Sequence, residues 1–198
     1  MKAQRFNSFG TATKITLLTT LLIIASCKGG EDSAGSGAPA VAAVKVKAPE
    51  VDIHTAVVTG NEEALRQHIK AGSDLNERDP FGGSSPLISA SVFGQPAMTR
   101  ILLDAGVDID FQNNDGSTAL HTAAFFCRPE IVEMLLESGA DKSIRNKYNA
   151  TPYEMVAGPF NDVKNAYDMM GQMLGPMGLK LDYAYLEKTR PELAAILK

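Results

Sequence analysis

Apolar positions in this chain recur in three stretches that line up at a spacing of 33 to 34 residues. From Asp115 the chain reads DGSTALHTAAFFCRPEIVEMLLESGADKSIRNK, and one period earlier, from Gly82, GGSSPLISASVFGQPAMTRILLDAGVDIDFQNN. Before that comes DIHTAVVTGNEEALRQHIKAGSDLNERD, from Asp52. Ile131, Val132, Leu135 and Leu136 fall at i, i+1, i+4 and i+5, which makes one apolar face of a helix. Leu120, Leu87 and Ile53 share a position on a preceding short helix, and Gly72, Gly106 and Gly139 stop the second helix of each unit by adopting a left-handed conformation. A unit of two short helices is too thin to bury its own apolar face, so a fixed period of this length predicts stacked units with one continuous core. The expected fold is an all-α repeat solenoid with units at 51–80, 81–114 and 115–147. Residues 148–198 would supply a fourth unit and a degenerate cap.

The residues that open each unit carry a resemblance to the ankyrin-repeat family. Thr118-Ala119-Leu120-His121 is similar to that family's Thr-Pro-Leu-His, followed by the small residues Ala123 and Ala124 and closed by Gly139-Ala140-Asp141. Ser85-Pro86-Leu87 and Gly106-Val107-Asp108 hold the same places one period earlier, and Thr151-Pro152-Tyr153 opens a fourth copy. Pro86 suits a first helical turn, where a missing N–H costs nothing. The resemblance implies that His54 and His121, which share a position, bond to backbone between adjacent units. It also implies a non-covalent protein-binding function. Cys127 stands where the family has glycine. The third histidine, His68, is expected on an exposed helical face.

Beyond Ala157 the pattern changes. Gly158-Pro159 and Gly175-Pro176 are breaks. Residues 161–174 between them read as a longer second helix, and Pro191-Glu192-Leu193 echoes Pro129-Glu130-Ile131. Met155, Met169, Met170, Met173 and Met177 are expected to fill the core under this cap; an adaptable binding surface is the alternative, and the flexible thioether suits either use.

The front of the chain has a different character. Residues 1–14 carry Lys2, Arg5 and Lys14 and no acid, and residues 15–25, ITLLTTLLIIA, form an apolar run of 11. That is too short for a permanent membrane span and suits a secretory leader. Ile24-Ala25-Ser26-Cys27 resembles the lipobox of bacterial lipoproteins. The resemblance implies cleavage after residue 26, lipidation of Cys27, and a place in the bacterial cell envelope. Resemblance to enterobacterial lipoproteins implies that Lys28, being other than Asp, suits sorting to the outer membrane, with the periplasmic face expected. Lys28 followed by Glu31 and Asp32 also resembles the surface-export signals of some lipoproteins, which is the alternative. Residues 27–50 read as a Gly/Ser/Ala/Pro-rich tether, spanning on the order of 25–30 Å if flexible.

Loss of residues 1–26 leaves 16 basic against 23 acidic residues, a net of −7. That balance opposes a nucleic-acid partner and broad contact with anionic lipid, so membrane attachment rests on the lipid alone. With Cys27 lipidated, Cys127 has no disulfide partner. A catalytic site is not expected: there is no phosphate loop, no His/Cys/acid cluster at metal-ligand spacing and no nucleophile–base pair. No cofactor is expected either.

Two features mark where another protein would bind a monomeric array. Turn tips fall around 79–83, 112–115 and 146–149, with Phe81, Phe111 and Tyr148 at or beside them. The exposed side of the first helices would carry Val58, then Val92 and Phe93, then Phe125 and Phe126, an apolar stripe interrupted by Thr59. Exposed aromatic residues of this kind anchor interfaces. The C-terminal extension is the alternative occupant of the stripe. A purely structural periplasmic scaffold or an immunity-type, toxin-neutralising protein is the alternative function.

Overall fold

The computed structural model describes residues 47–198; the leader, Cys27 and most of the tether lie outside the described residues. Nine α-helices follow one another with no strand among the described residues. They are α1 (Ile53–Val58), α2 (Glu62–Ala71), α3 (Pro86–Phe93), α4 (Pro96–Asp104), α5 (Ala119–Phe125), α6 (Pro129–Glu137), α7 (Glu154–Ala157), α8 (Phe160–Leu174) and α9 (Tyr183–Leu197). A 3-10 turn, Gly175–Met177, links α8 to α9.

The helices form hairpins α1/α2, α3/α4 and α5/α6, stacked first helix on first helix and second on second. Each first helix starts at a residue that accepts a hydrogen bond from a free N–H of the opening turn: Asp52 from Thr55, Ser85 from Ile88, Thr118 from His121. Asp52 lies one place later than the pattern position of Thr118, so α1 is the shorter helix. Pro86, Pro96 and Pro129 occupy first turns. Gly72, Gly106 and Gly139 all have positive φ after the second helices, as the spacing predicts. The core is continuous through the stack, with Ile53, Leu87, Leu120, Leu65, Leu102 and Leu135 fully buried.

The fourth unit is built differently from the sequence expectation. α7 stacks on α5, but its hairpin partner is α9 rather than the helix at 161–174. Residues 159–182, with α8, are an insertion between the two helices of that unit. The repeated Arg-Pro-Glu of Arg128–Glu130 and Arg190–Glu192 reflects this: α9 takes the second-helix role, extended by two turns ahead of its proline. Pro191 is tolerated inside α9 because it lies on the exposed side.

A buried polar knot holds the insertion down. The Tyr167 hydroxyl donates to the Phe125 carbonyl at the end of α5 and accepts from Arg190 Nη1 at 3.1 Å. Arg190 Nη2 donates to the Gly158 carbonyl at 3.2 Å. Arg190 is only 2% exposed and among the described residues forms no ion pair with a carboxylate; the Gly158 carbonyl after α7, and the Phe125 carbonyl of α5 through the Tyr167 hydroxyl, supply the compensating negative potential. Burial pushes the Tyr167 phenol up to about 12.

Two further expectations are corrected. His68 is buried, with Nε2 donating to the Val51 carbonyl at 2.8 Å, so it ties the entering chain to α2. Of the methionines expected in the core under the cap, Met169, Met173 and Met177 face water.

Candidate protein-binding surface

Each unit ends in a turn built around one acceptor side chain. Asp79 accepts from the N–H groups of Phe81, Gly82 and Ser84. Asn113 accepts from those of Asp115 and Ser117, and Asn146 from those of Tyr148 and Ala150. These three positions, 34 and 33 residues apart, were not singled out by hydrophobic patterning; their signal was an Asp or Asn two residues ahead of each tip. Burial opposes ionisation of Asp79, but the N–H donors outweigh it and its pKa is lowered.

Neighbouring tips are joined through backbone. Asn114 N donates to the Gly82 carbonyl at 2.9 Å and Lys147 N to the Asp115 carbonyl at 2.8 Å. A second ladder runs below. Asn76 Oδ1 accepts from Asp108 N, and Asp110 Oδ1 from Asp141 N. A third ties the helical ends: Gln95 Nε2 donates to the Val58 carbonyl and Arg128 Nη2 to the Val92 carbonyl, both at 3.1 Å. The tips are therefore fixed relative to one another by hydrogen bonds that cross every unit boundary.

Histidine contributes to the same cross-bracing. His121 Nε2 donates to the Ala150 carbonyl at 3.0 Å, while Nδ1 accepts from Thr118. That arrangement requires the neutral ring. Burial lowers the His121 pKa, against an upward pull from the Ala150 and Ile144 carbonyls. His54 Nε2 donates to the Glu77 carbonyl at 3.1 Å.

On this frame the expected partner-binding residues fall into three groups. Phe81 and Tyr148 project from matching tip positions, 88% and 73% exposed, with Asp115 at the tip between them. Val92 and Phe93 are half-buried on α3. Phe111, Phe125 and Phe126 are committed elsewhere. The Phe111 ring packs on the core with the Arg78 guanidinium 4.4 Å above its centre. It sits before the tip, four residues from Asp115, so it is not a free finger. The Phe125 ring stacks on Tyr167 at 4.5 Å, and its edge meets Phe126 at 5.1 Å. Phe126 is 5% exposed. The apolar stripe read across the first helices thus stops being open at α5, because the inserted α8 lies over it.

Cys127 has φ 52°, the left-handed conformation taken by glycine at 60 and 94. Its thiol is buried under α9, with Sγ 3.7 Å from the Leu186 carbonyl, and burial pushes its pKa up to about 11. Among the described residues no three His, Cys, Asp or Glu side chains converge as a metal site.

Stacked helical hairpins joined at projecting turns define a repeat-type binding scaffold. The family model for ankyrin repeats matches residues 53–146 in three copies, and that part of the chain has the ankyrin fold. The chain is 39% identical over 64 residues to protein phosphatase 1 regulatory subunit 27 of human and of mouse, 32% of this chain and 41% of each relative. It is 32% identical over 68 residues to the human DNA-binding protein RFXANK, 34% of this chain and 26% of the relative. The match thus spans less than half the length of these relatives. Among solved structures, the ankyrin repeat domain of Bcl-3, a member of the IkappaB protein family, superposes with a TM-score of 0.51 and 35% identity, over 52% of this chain and 45% of that one.

Proposed function

We propose that this chain is a non-catalytic protein-binding module that recognises its partner through the turn tips, and that lipid on Cys27 holds it in a bacterial cell envelope. The observation that carries the binding reading is the pair Phe81 and Tyr148. Two large apolar rings stand in water at equivalent positions of a rigid, hydrogen-bonded tip row. Exposed aromatics on a pre-organised frame bind with little ordering cost, which is how hot spots arise. Val92 and Phe93 extend the surface along α3. The names of the similar proteins, a regulatory subunit and a DNA-binding protein, support recognition rather than catalysis. The acidic balance after the leader favours a protein over a nucleic acid.

The test is capture of a partner from envelope extracts, followed by its affinity for Phe81→Ser and Tyr148→Ser variants. Each hot-spot ring removed costs about 2 kcal/mol or more, so binding falls more than tenfold for each. Unchanged affinity in the double variant overturns the tip assignment. The anchor is tested separately by intact mass: loss of residues 1–26 with added diacylglyceryl and acyl mass is expected. An unmodified chain starting at Met1 overturns it.

A further inference from the structure

Both hydrogen-bond ladders that join the tips stop at the third unit with an acceptor left over. In the upper ladder, the carbonyl just before each left-handed tip residue accepts from the next tip: Gly82 from Asn114 N at 2.9 Å, Asp115 from Lys147 N at 2.8 Å. Tyr148 holds that place before Asn149, and its carbonyl has no partner among the described residues. In the lower ladder, Asn76 Oδ1 accepts from Asp108 N and Asp110 Oδ1 from Asp141 N. The next residue in that series is Ser143. Its hydroxyl donates to Asp141 of its own loop and accepts from no described residue. Below this edge lies a groove of about 390 Å³, between Lys142–Arg145, the start of α7 and the end of α9.

We propose that this edge docks an extended, acidic segment of a partner protein, which continues the tip row. The inference rests on the protein-binding reading above and names the partner's chemistry. Backbone N–H groups of the segment bond to the Tyr148 carbonyl and Ser143 Oγ, as a strand is added to a sheet edge. Its carboxylates meet Lys142 and Lys147, which are exposed and form no ion pair among the described residues. Arg145 is already paired with Glu154 at 2.7 Å, so the two charges that remain at the edge are positive. That sign is local. The corresponding loop of the second unit carries Asp108, Asp110 and Asp115 and no cation. A second copy of this chain cannot continue the row, because Pro80 stands where Asn114 and Lys147 supply their N–H. A nucleic acid is opposed by the net charge of −4 and has no peptide N–H for the open acceptors.

The experiment follows fluorescence anisotropy of a labelled peptide alternating glutamate and valine, titrated with the purified full chain. Controls are its lysine-for-glutamate counterpart and two versions N-methylated at alternate residues, since an edge strand offers only every second N–H to its neighbour. The acidic peptide is expected to bind, more weakly as salt is raised, and the lysine peptide not to bind. One of the two N-methylated sets should abolish binding. Lys142→Glu with Lys147→Glu should lower affinity by about tenfold or more, because like charges are then opposed. Both lysines are exposed, and matching circular dichroism spectra confirm that the fold is kept. No binding of the acidic peptide, or binding that neither N-methylation nor the double variant alters, overturns the docking edge. Peptide binding that survives lysine reversal but falls in Tyr148→Ser overturns the edge and leaves the tip rings as the binding surface. A concentration-dependent rise in sedimentation mass that the lysine substitutions abolish assigns the edge to a second copy, and overturns the proposal too.

Discussion

Replacing Tyr167 by Phe isolates the one hydroxyl that joins the inserted helix to the stack. The ring remains, so its contacts with Phe125 and Phe160 persist. What disappears is the donor to the Phe125 carbonyl and the acceptor for Arg190 Nη1. Both groups are inside the protein, and a buried polar group deprived of its partner costs about 1–3 kcal/mol. Arg190 is the more exposed to loss energetically, because its Nε already lacks a partner and no carboxylate is near. Two orphaned groups give an expected destabilisation of about 2–6 kcal/mol. With a urea dependence of about 2 kcal/mol per molar, the unfolding midpoint falls by roughly 1–3 M. A cycle with Arg190→Met should give a coupling of about 1 kcal/mol or more, since the two side chains share one hydrogen bond. Because a repeat array loses stability unit by unit, amide exchange should quicken in α7, α8 and α9 and stay unchanged in α1 to α4. A midpoint shift below about 0.3 M, at the urea dependence used above, would refute the bridging role of the hydroxyl.

Three other outcomes follow from the same geometry. Gly94→Ala should cost more than Gly60→Ala: both positions are left-handed, worth about 1–2 kcal/mol each, but a Cβ at 94 lies 2.9 Å from Arg128 Cζ while at 60 the nearest atom is 3.4 Å away; urea midpoints that rank the other way contradict the packing. Acid should weaken the fold through His121, whose folded pKa lies below the ordinary imidazole value of about 6.5 because the ring is buried; its stabilisation is present above that value and is lost as pH falls through the folded pKa, because the unfolded ring binds the proton first, so His121→Gln should flatten the fall in urea midpoint below about pH 6.5. In a Cys27→Ser chain at pH 8, the buried Cys127 thiol, raised to about 11, should react with Ellman's reagent only after unfolding; rapid labelling of the folded chain would contradict its burial.

The stack was legible from the sequence because its causes repeat. Leu87 and Leu120 at one position, and Gly72, Gly106 and Gly139 at another, state the same packing problem several times, and noise at one copy is corrected by the others. The insertion was not legible, because it occurs once. Residues 161–174 have the apolar period of a second helix, and nothing local distinguishes that from α8 lying over α5. Only the Arg-Pro-Glu ahead of Leu193 carries the information that α9 holds the second-helix place. The site divides in the same way. Phe81 and Tyr148 stand two residues after Asp79 and Asn146, whose side chains fold the turn backwards and leave the next ring outside. Phe111 lies before its turn, where the chain still runs along the core, and proximity to a tip in sequence did not place it there.

The burial of Phe126 and partial burial of Phe125 also explain why the insertion exists at the end of this array. A final repeat leaves one face of its hairpin without a neighbour, and such arrays require a cap with a polar outer side. α7 is a single turn of four residues, too short to shelter α5 alone. α8 adds Phe160 and Tyr167 over that gap, and Arg190 fixes their position from α9. The apolar stripe of the first helices is thereby divided: its α5 end becomes core for the cap, and its α3 end, with Val92 and Phe93 at the C-terminus of that helix, stays half-open. The surface left to a partner is narrower than the sequence pattern suggests, and it is weighted toward the two rings that no cap residue covers.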